Sequence, residues 1–222
     1  MAPPLQLASV DHCLYAFSVL DAELQGSAVV GPNFPDAVSA LFVTWNIQHS
    51  SGEWRLRGCI GTLEPRQLRP ALRDYALISA LRDSRFAPVT RRELSQLCCK
   101  VSLLSCFEVA ADWQDWVVGT HGIIIEFSDP ESGCRRSATF LPDVPPEQGW
   151  SVRDTLDALL RKAGFRGQVS ASLLARIKLT RYQSSIASLT HEEYVRVRGE
   201  VQQLEGCWAA RTGQEQEQQV AA

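Results

Sequence analysis

At 222 residues, with 45% hydrophobic and 21% charged side chains, the chain has a globular composition and enough length to bury a core without disulfide or metal staples. Its 22 Lys and Arg against 25 Asp and Glu leave a net charge of −3, which argues against a protein that is basic overall and coats nucleic acid. No apolar run approaches the ~18 residues that span a bilayer, and Met1-Ala2-Pro3-Pro4-Leu5 lacks the charged region and apolar core of a secretion signal, so the expected location is the cytoplasm, the nucleus or both. The seven cysteines (Cys13, Cys59, Cys98, Cys99, Cys106, Cys134 and Cys207) are an odd set and read as reduced thiols rather than a disulfide framework. They include no C-x-x-C pair, and the four histidines are scattered without an H-x-x-x-H pair, so neither a metal site nor a cofactor is expected.

Ser9 caps a helix from Val10, whose apolar face is Val10, Cys13, Leu14, Phe17, Leu20 and Leu24. Gly26 to Pro35 breaks it. Ala40–Ile47 and Trp54–Leu63 read as strands, and the turn-rich His49-Ser50-Ser51-Gly52 makes them a hairpin. A helix follows over Leu68–Leu81, with Leu68, Leu72, Tyr75, Ala76 and Ser79 on one side. Thr90-Arg91-Arg92-Glu93 is a capping box that opens a short helix. Cys98–Phe107 and His121–Phe127 are strand-like, and Asp129-Pro130-Glu131-Ser132-Gly133 turns the chain into the strand Arg135–Leu141. Pro142, Pro145 and Pro146 predict an irregular connection. Ser151 and Asp154 open a helix that runs to Ala163 and closes at Gly164. Ala175–Gln183 is a late strand and Thr190 caps a last helix. The glutamine-rich end has no apolar face, so residues 211–222 are expected to be a disordered tail beyond a single domain of residues 1–210. Strands and helices mix without a regular β-α-β spacing, so the expected class is α+β: an antiparallel sheet flanked by helices.

Leu56-Arg57-Gly58-Cys59-Ile60-Gly61 carries the strongest chemistry. Strand alternation puts Arg57 and Cys59 on one face, with Leu56, Gly58 and Ile60 on the other. An arginine about 7 Å along the same face favours a thiolate, while Gly58 and Gly61 let a ligand or another backbone approach closely. A core strand with an inert buried thiol has the same pattern and is the commoner case. Thr120-His121-Gly122 places an imidazole at a strand entrance, where His121 is either the base of a Cys–His pair or the partner of a backbone carbonyl. Between Arg55 and Arg92 the chain has nine arginines against three acids. A guanidinium fork suits carboxylate or phosphate, and Arg57 and Arg85 are the candidates for gripping an anion. No RNA module, P-loop or dinucleotide fingerprint is present, so nucleic acid is an unlikely partner.

The hexapeptide is similar to the signature of the AMMECR family, which occurs from archaea to humans and takes its name from a human chromosomal region. Further strings agree in order: Phe42-Val43-Thr44-Trp45, Asp83-Ser84-Arg85-Phe86, Val101-Ser102-Leu103-Leu104, Gly119-Thr120-His121-Gly122-Ile123, Ala138-Thr139-Phe140-Leu141-Pro142, Glu147-Gln148-Gly149-Trp150 and Lys178-Leu179-Thr180-Arg181-Tyr182. They extend from about residue 10 to 198, and the eukaryotic type fits best. The resemblance implies two interlocked subdomains with a cleft between them, in a family whose activity is not settled. Microbial members often stand beside a Memo-like and a radical-SAM protein, which suggests a shared pathway. The chain departs from the pattern at Val117, where many relatives have an acid, and at Cys106, where threonine is expected. Two functional classes follow. One is a cysteine-dependent enzyme that acts on an anionic substrate through Cys59, with His121, Arg57, Gly58, Gly61 and Arg85 around it. The other is a non-catalytic module that binds a small anion or a protein partner in the same cleft, without a membrane.

Overall fold

The computed structural model describes residues 7–200. It is an α+β protein whose antiparallel sheet is flanked by helices. In chain order the elements are α1 (Val10–Gln25), β1 (Val38–Gln48), β2 (Trp54–Gln67), α2 (Leu68–Leu81), a 3-10 turn (Arg91–Gln96), β3 (Leu97–Val109), β4 (Gly122–Ser128), β5 (Arg135–Phe140), α3 (Val144–Glu147), α4 (Val152–Lys162), α5 (Ala171–Leu174) and β6 (Lys178–Thr190). Residues 191–200 are helical, as the Thr190 cap predicts, and the glutamine-rich tail lies outside the described residues. The six strands lie in the order β2-β1-β3-β6-β4-β5, which leaves β2 and β5 at the edges. Two compact units divide the described residues: residues 102–185 form one, and residues 8–101 with residues 186–200 form the other.

The unit that begins at residue 8 is organised around α1, α2 and the β1–β2 hairpin. At the start of α1, the Ser9 N–H donates to His12 Nδ1 at 3.0 Å, so a histidine takes the place usually held by Glu or Gln in a capping box. The helix is buried on more sides than one stripe predicts. His12, Ser18 and Asp21 are buried along with Cys13, Phe17 and Leu20, whereas Val10, expected on the apolar face, is exposed at the first turn. Phe17 meets Trp45 of β1 edge-on at 4.9 Å, and the Trp45 indole N–H donates to the Ala76 carbonyl of α2 at 3.0 Å. The Trp45 side of the hairpin is therefore the side that α2 covers. Gly58, opposite Trp45, is required there: a Cβ on it would stand 2.0 Å from the Ser79 carbonyl oxygen of α2.

In the unit of residues 102–185, Ile123, Ile125 and Phe127 alternate inward from β4 onto Leu156, Leu159 and Leu160 of α4. Ser151 and Asp154 form the predicted box at the start of α4, and Gly164 ends it at φ 82°. Tyr182 is fully buried under Gly122, where a Cβ would lie 2.4 Å from its ring. Its hydroxyl donates to the Phe140 carbonyl at 3.0 Å. Three details depart from the sequence reading. The proline connection contains the one-turn α3, with Pro145 in its first turn, where the missing N–H costs nothing. The strand expected at Ala175 begins instead at Lys178 after the short α5, and runs on through Ser184 and Ser185 to Thr190. Cys106, where threonine is expected, is exposed and has φ 53°, a conformation that β-branched residues rarely adopt.

Candidate active site around Cys59

Cys59 lies opposite Thr44 in the β1–β2 ladder. Its peptide groups point outward from the sheet edge, since its N–H donates to Asp83 Oδ2 at 2.9 Å and its carbonyl accepts from Arg85 Nη2 at 3.0 Å. The Cys59–Thr44 pair is thus a non-hydrogen-bonded one, in which facing side chains approach most closely. The Thr44 hydroxyl accordingly donates to Cys59 Sγ at 3.0 Å. A donor on the sulfur favours the thiolate. The thiol itself is half-buried.

Asp83 and Arg85 come from the loop after α2. Arg85 forks onto the carboxylate, with Nε 2.9 Å from Oδ1 and Nη2 2.6 Å from Oδ2. Asp83 is buried at its side chain while Arg85 is about half exposed (4% and 53%). The Arg85 guanidinium, helped by the Cys59 and Arg85 N–H groups and opposed by burial, holds the Asp83 carboxyl far below the usual carboxylate range. Asp83 in turn holds Arg85 above its ordinary value against burial, and the Cys59 sulfur adds to that electrostatically. Among the described residues, Arg85 Nη1 has no hydrogen bond.

Arg57 stands at a break in the alternation. The ladder pairs Trp45 with Gly58 and then Asn46 with Leu56, so Arg57 is the extra residue of a β-bulge. Past the bulge, Leu56 returns to the side of Thr44 and Cys59, which overturns its expected grouping with Gly58 and Ile60. The Arg57 side chain, 12% exposed, donates to Glu93 Oε1 at 2.8 Å, to the Ala87 carbonyl at 2.6 Å and to the Pro88 carbonyl at 3.2 Å. Arg85 is a cation that acts electrostatically on the sulfur. The two glycines admit protein backbone: Gly58 admits α2, and a Cβ on Gly61 would stand 2.2 Å from the Leu41 carbonyl oxygen of β1.

His121 belongs to the other unit, just before β4. Its Nδ1 accepts the Val117 N–H at 3.0 Å. With valine at 117, the backbone rather than a side-chain acid orients this ring. Among the described residues, the other cysteines of the unit that holds Cys59 are core residues: Cys13, Cys98 and Cys99 are buried, and burial pushes the Cys98 and Cys99 thiols up. Among the described residues no group of three or more His, Cys, Asp or Glu is placed to hold a metal ion, and no helix is long and apolar enough to cross a membrane.

The strings that build this clamp, Phe42 to Trp45, Leu56 to Gly61 and Asp83 to Phe86, lie within a stretch that matches a single family model, AMMECR1, over residues 13–187. The chain belongs to the AMMECR1 family. It is 47% identical over 188 residues to an uncharacterized protein of Arabidopsis thaliana, which covers 85% of this chain and 88% of that one. An uncharacterized Saccharomyces cerevisiae protein is 37% identical over 176 residues (70% of each), and a Methanocaldococcus jannaschii protein is 32% identical over 194 residues (84% of this chain, 90% of that one). The crystal structure of an uncharacterized Pyrococcus horikoshii protein superposes with a TM-score of 0.66 at 26% identity, covering 81% of this AMMECR1-family chain and 89% of that one. Sequence reasoning had selected Cys59 and Arg85 but missed Thr44, Asp83 and Glu93. Thr44 and Asp83 stand inside the family-like strings, and an acid two residues before Arg85 was the available signal.

Proposed function

We propose that this AMMECR1-family protein uses Cys59 as a nucleophile toward an electrophilic carbon of a substrate that bears a carboxylate or phosphate, with Arg85 as the cation for both the thiolate and the substrate anion. The observation that carries this reading is Arg85: it is bound to the peptide of Cys59, coupled to its sulfur, and half exposed. Thr44 supports the same reading through its bond to Sγ. A guanidinium held by Asp83 and the Cys59 carbonyl is pre-oriented, so little side-chain entropy is lost when its Nη1 takes an anion. The chemistry is assigned to groups of the unit that holds Cys59, without a role for His121.

The test compares alkylation of Cys59 by iodoacetamide and by the anionic iodoacetate across pH, read by peptide mass spectrometry in wild type and Arg85→Met. Peptide resolution is needed because Cys106 and Cys134 are also exposed. The expected result is a midpoint below the free-thiol value of ~8.5, together with an iodoacetate preference that Cys106 lacks; Arg85→Met abolishes both. Absence of Cys59 labelling until the protein unfolds overturns the nucleophile. If a small anion still binds in an Arg85-dependent way, the protein is a binding module.

A further inference from the structure

We infer that Arg57 and Glu93 form a latch that positions Arg85 at Cys59, so that Arg57 acts on the thiol through the loop rather than by its own charge; this rests on the reading of Cys59 as a reactive thiol. The strand and the loop after α2 are joined in two directions. Asp83 and Arg85 reach from the loop to the two peptide groups of Cys59. Arg57 reaches back from the strand to the carbonyls of Ala87 and Pro88 and to Glu93, at the far end of the same loop.

Each piece has a physical cause. The bulge frees Arg57 from the alternation of β2 and re-aims it at the loop. Two consecutive carbonyls, Ala87 and Pro88, have no ladder to join and find their donors on one guanidinium. Glu93 is held for Arg57 by the turn that follows, since its Oε2 also accepts the Thr90 N–H and hydroxyl at 2.8 and 2.9 Å. Burial pushes the Glu93 carboxyl up, but Arg57 and Thr90 outweigh it and the group stays below its usual range. At the near end, Arg85 takes its place within a tight turn in which the Phe86 N–H donates to the Asp83 carbonyl at 3.0 Å and the Arg85 N–H to Asp83 Oδ1 at 3.2 Å. That turn is joined directly to the two carbonyls that Arg57 grips. Releasing Arg57 or Glu93 therefore frees the turn, and with it the cation beside the sulfur.

Glu93→Gln separates this from direct action by Arg57, because the two predict opposite signs. If Arg57 acts by its own charge, removing its counter-charge strengthens it and lowers the alkylation midpoint of Cys59. If it acts as a latch, the midpoint rises as Arg85 loosens. The experiment uses the full chain as wild type, Glu93→Gln and Arg57→Lys, measuring the iodoacetamide midpoint at Cys59 and hydrogen–deuterium exchange of peptides that cover β2 and residues 82–93. Both variants are expected to raise the midpoint and to speed exchange at the Cys59 amide and the loop by about tenfold, the effect of losing one charge-assisted bond. A midpoint that falls or stays put in Glu93→Gln overturns the latch. If wild-type Cys59 does not label at all, the proposed function has failed, and the latch is then decided by exchange: unchanged exchange at residues 82–93 overturns it.

Discussion

At the scale of single residues, the Cys59 thiol meets the Thr44 hydroxyl and feels the Arg85 guanidinium. Thr44→Val keeps the shape of the side chain and removes the donor to Sγ, so it should raise the alkylation midpoint of Cys59, whereas Thr44→Ser restores it; equal midpoints in all three proteins would remove Thr44 from the site. Asp21 gives a stability counterpart. It is buried, accepts from Gln25, Ser27, Tyr194 and Arg198, and lines a concavity of about 310 Å³ with His191. Asp21→Ala leaves Arg198 without its counter-ion and should cost about 3 kcal/mol in a urea unfolding titration. The sequence exposes the identities at the site but not their contacts. Cys59 and Arg85 could be singled out because thiol and guanidinium chemistry is visible in the residue type. Thr44 could not, because its role depends on the ladder placing it opposite Cys59. Nor could the partners of Arg57, which come from the loop after α2, be read from β2 alone.

At the scale of elements, close approach rather than turn chemistry decides where glycine is needed. Gly58→Ala drives a methyl group into the backbone of α2, which has no side chain to move aside, and should cost about 2 to 3 kcal/mol. Gly52→Ala is the control: a Cβ there meets nothing, and only its φ of 84° opposes the change, so its loss should be smaller by thermal melting. The helices were the most legible part of the fold, because their caps are local. Ser9, Ser151 and Gly164 stand at the ends of α1 and α4 as read from the sequence. Strand existence was equally legible, but strand ends were not. β2 continues through Glu64 and Pro65, which an isolated propensity ends early, since an edge strand tolerates a missing N–H. β6 continues through polar Ser184 and Ser185 because its length answers to its neighbours in the sheet.

At the scale of the whole molecule, the titrating groups make the protein acid-labile and bounded on the alkaline side. Burial lowers His12 and His191 below the ordinary histidine value, with Ser9 and Asp11 opposing at His12 and Asp21 at His191. Groups lowered in the folded state stabilise fully above the unfolded histidine pKa of ~6.5 and lose that contribution as pH falls. The lowered carboxylates Asp21, Asp83 and Glu93 act in the same direction further down, as pH drops through ~4. Tyr194 is pushed up to about 12, chiefly by burial and next by Asp21, so alkali ionises it more readily in the unfolded chain and stability falls above ~10. The buried Cys98 and Cys99 thiols, also pushed up, begin the alkaline loss earlier, above ~8.5, so the melting temperature should be flat only from about pH 7 to 8 and fall on both sides. His12→Gln keeps the cap acceptor without the titration, so it should reduce the loss between pH 7 and 5; an unchanged slope would clear His12. The Asp83–Arg85 clamp has one more consequence. β2 ends the sheet, and at Cys59 the clamp occupies the donor and acceptor that a foreign strand would use to add itself. Without the pair that edge lies open at Cys59, so an Asp83→Ala protein should be recognised first by its clumping in the test tube.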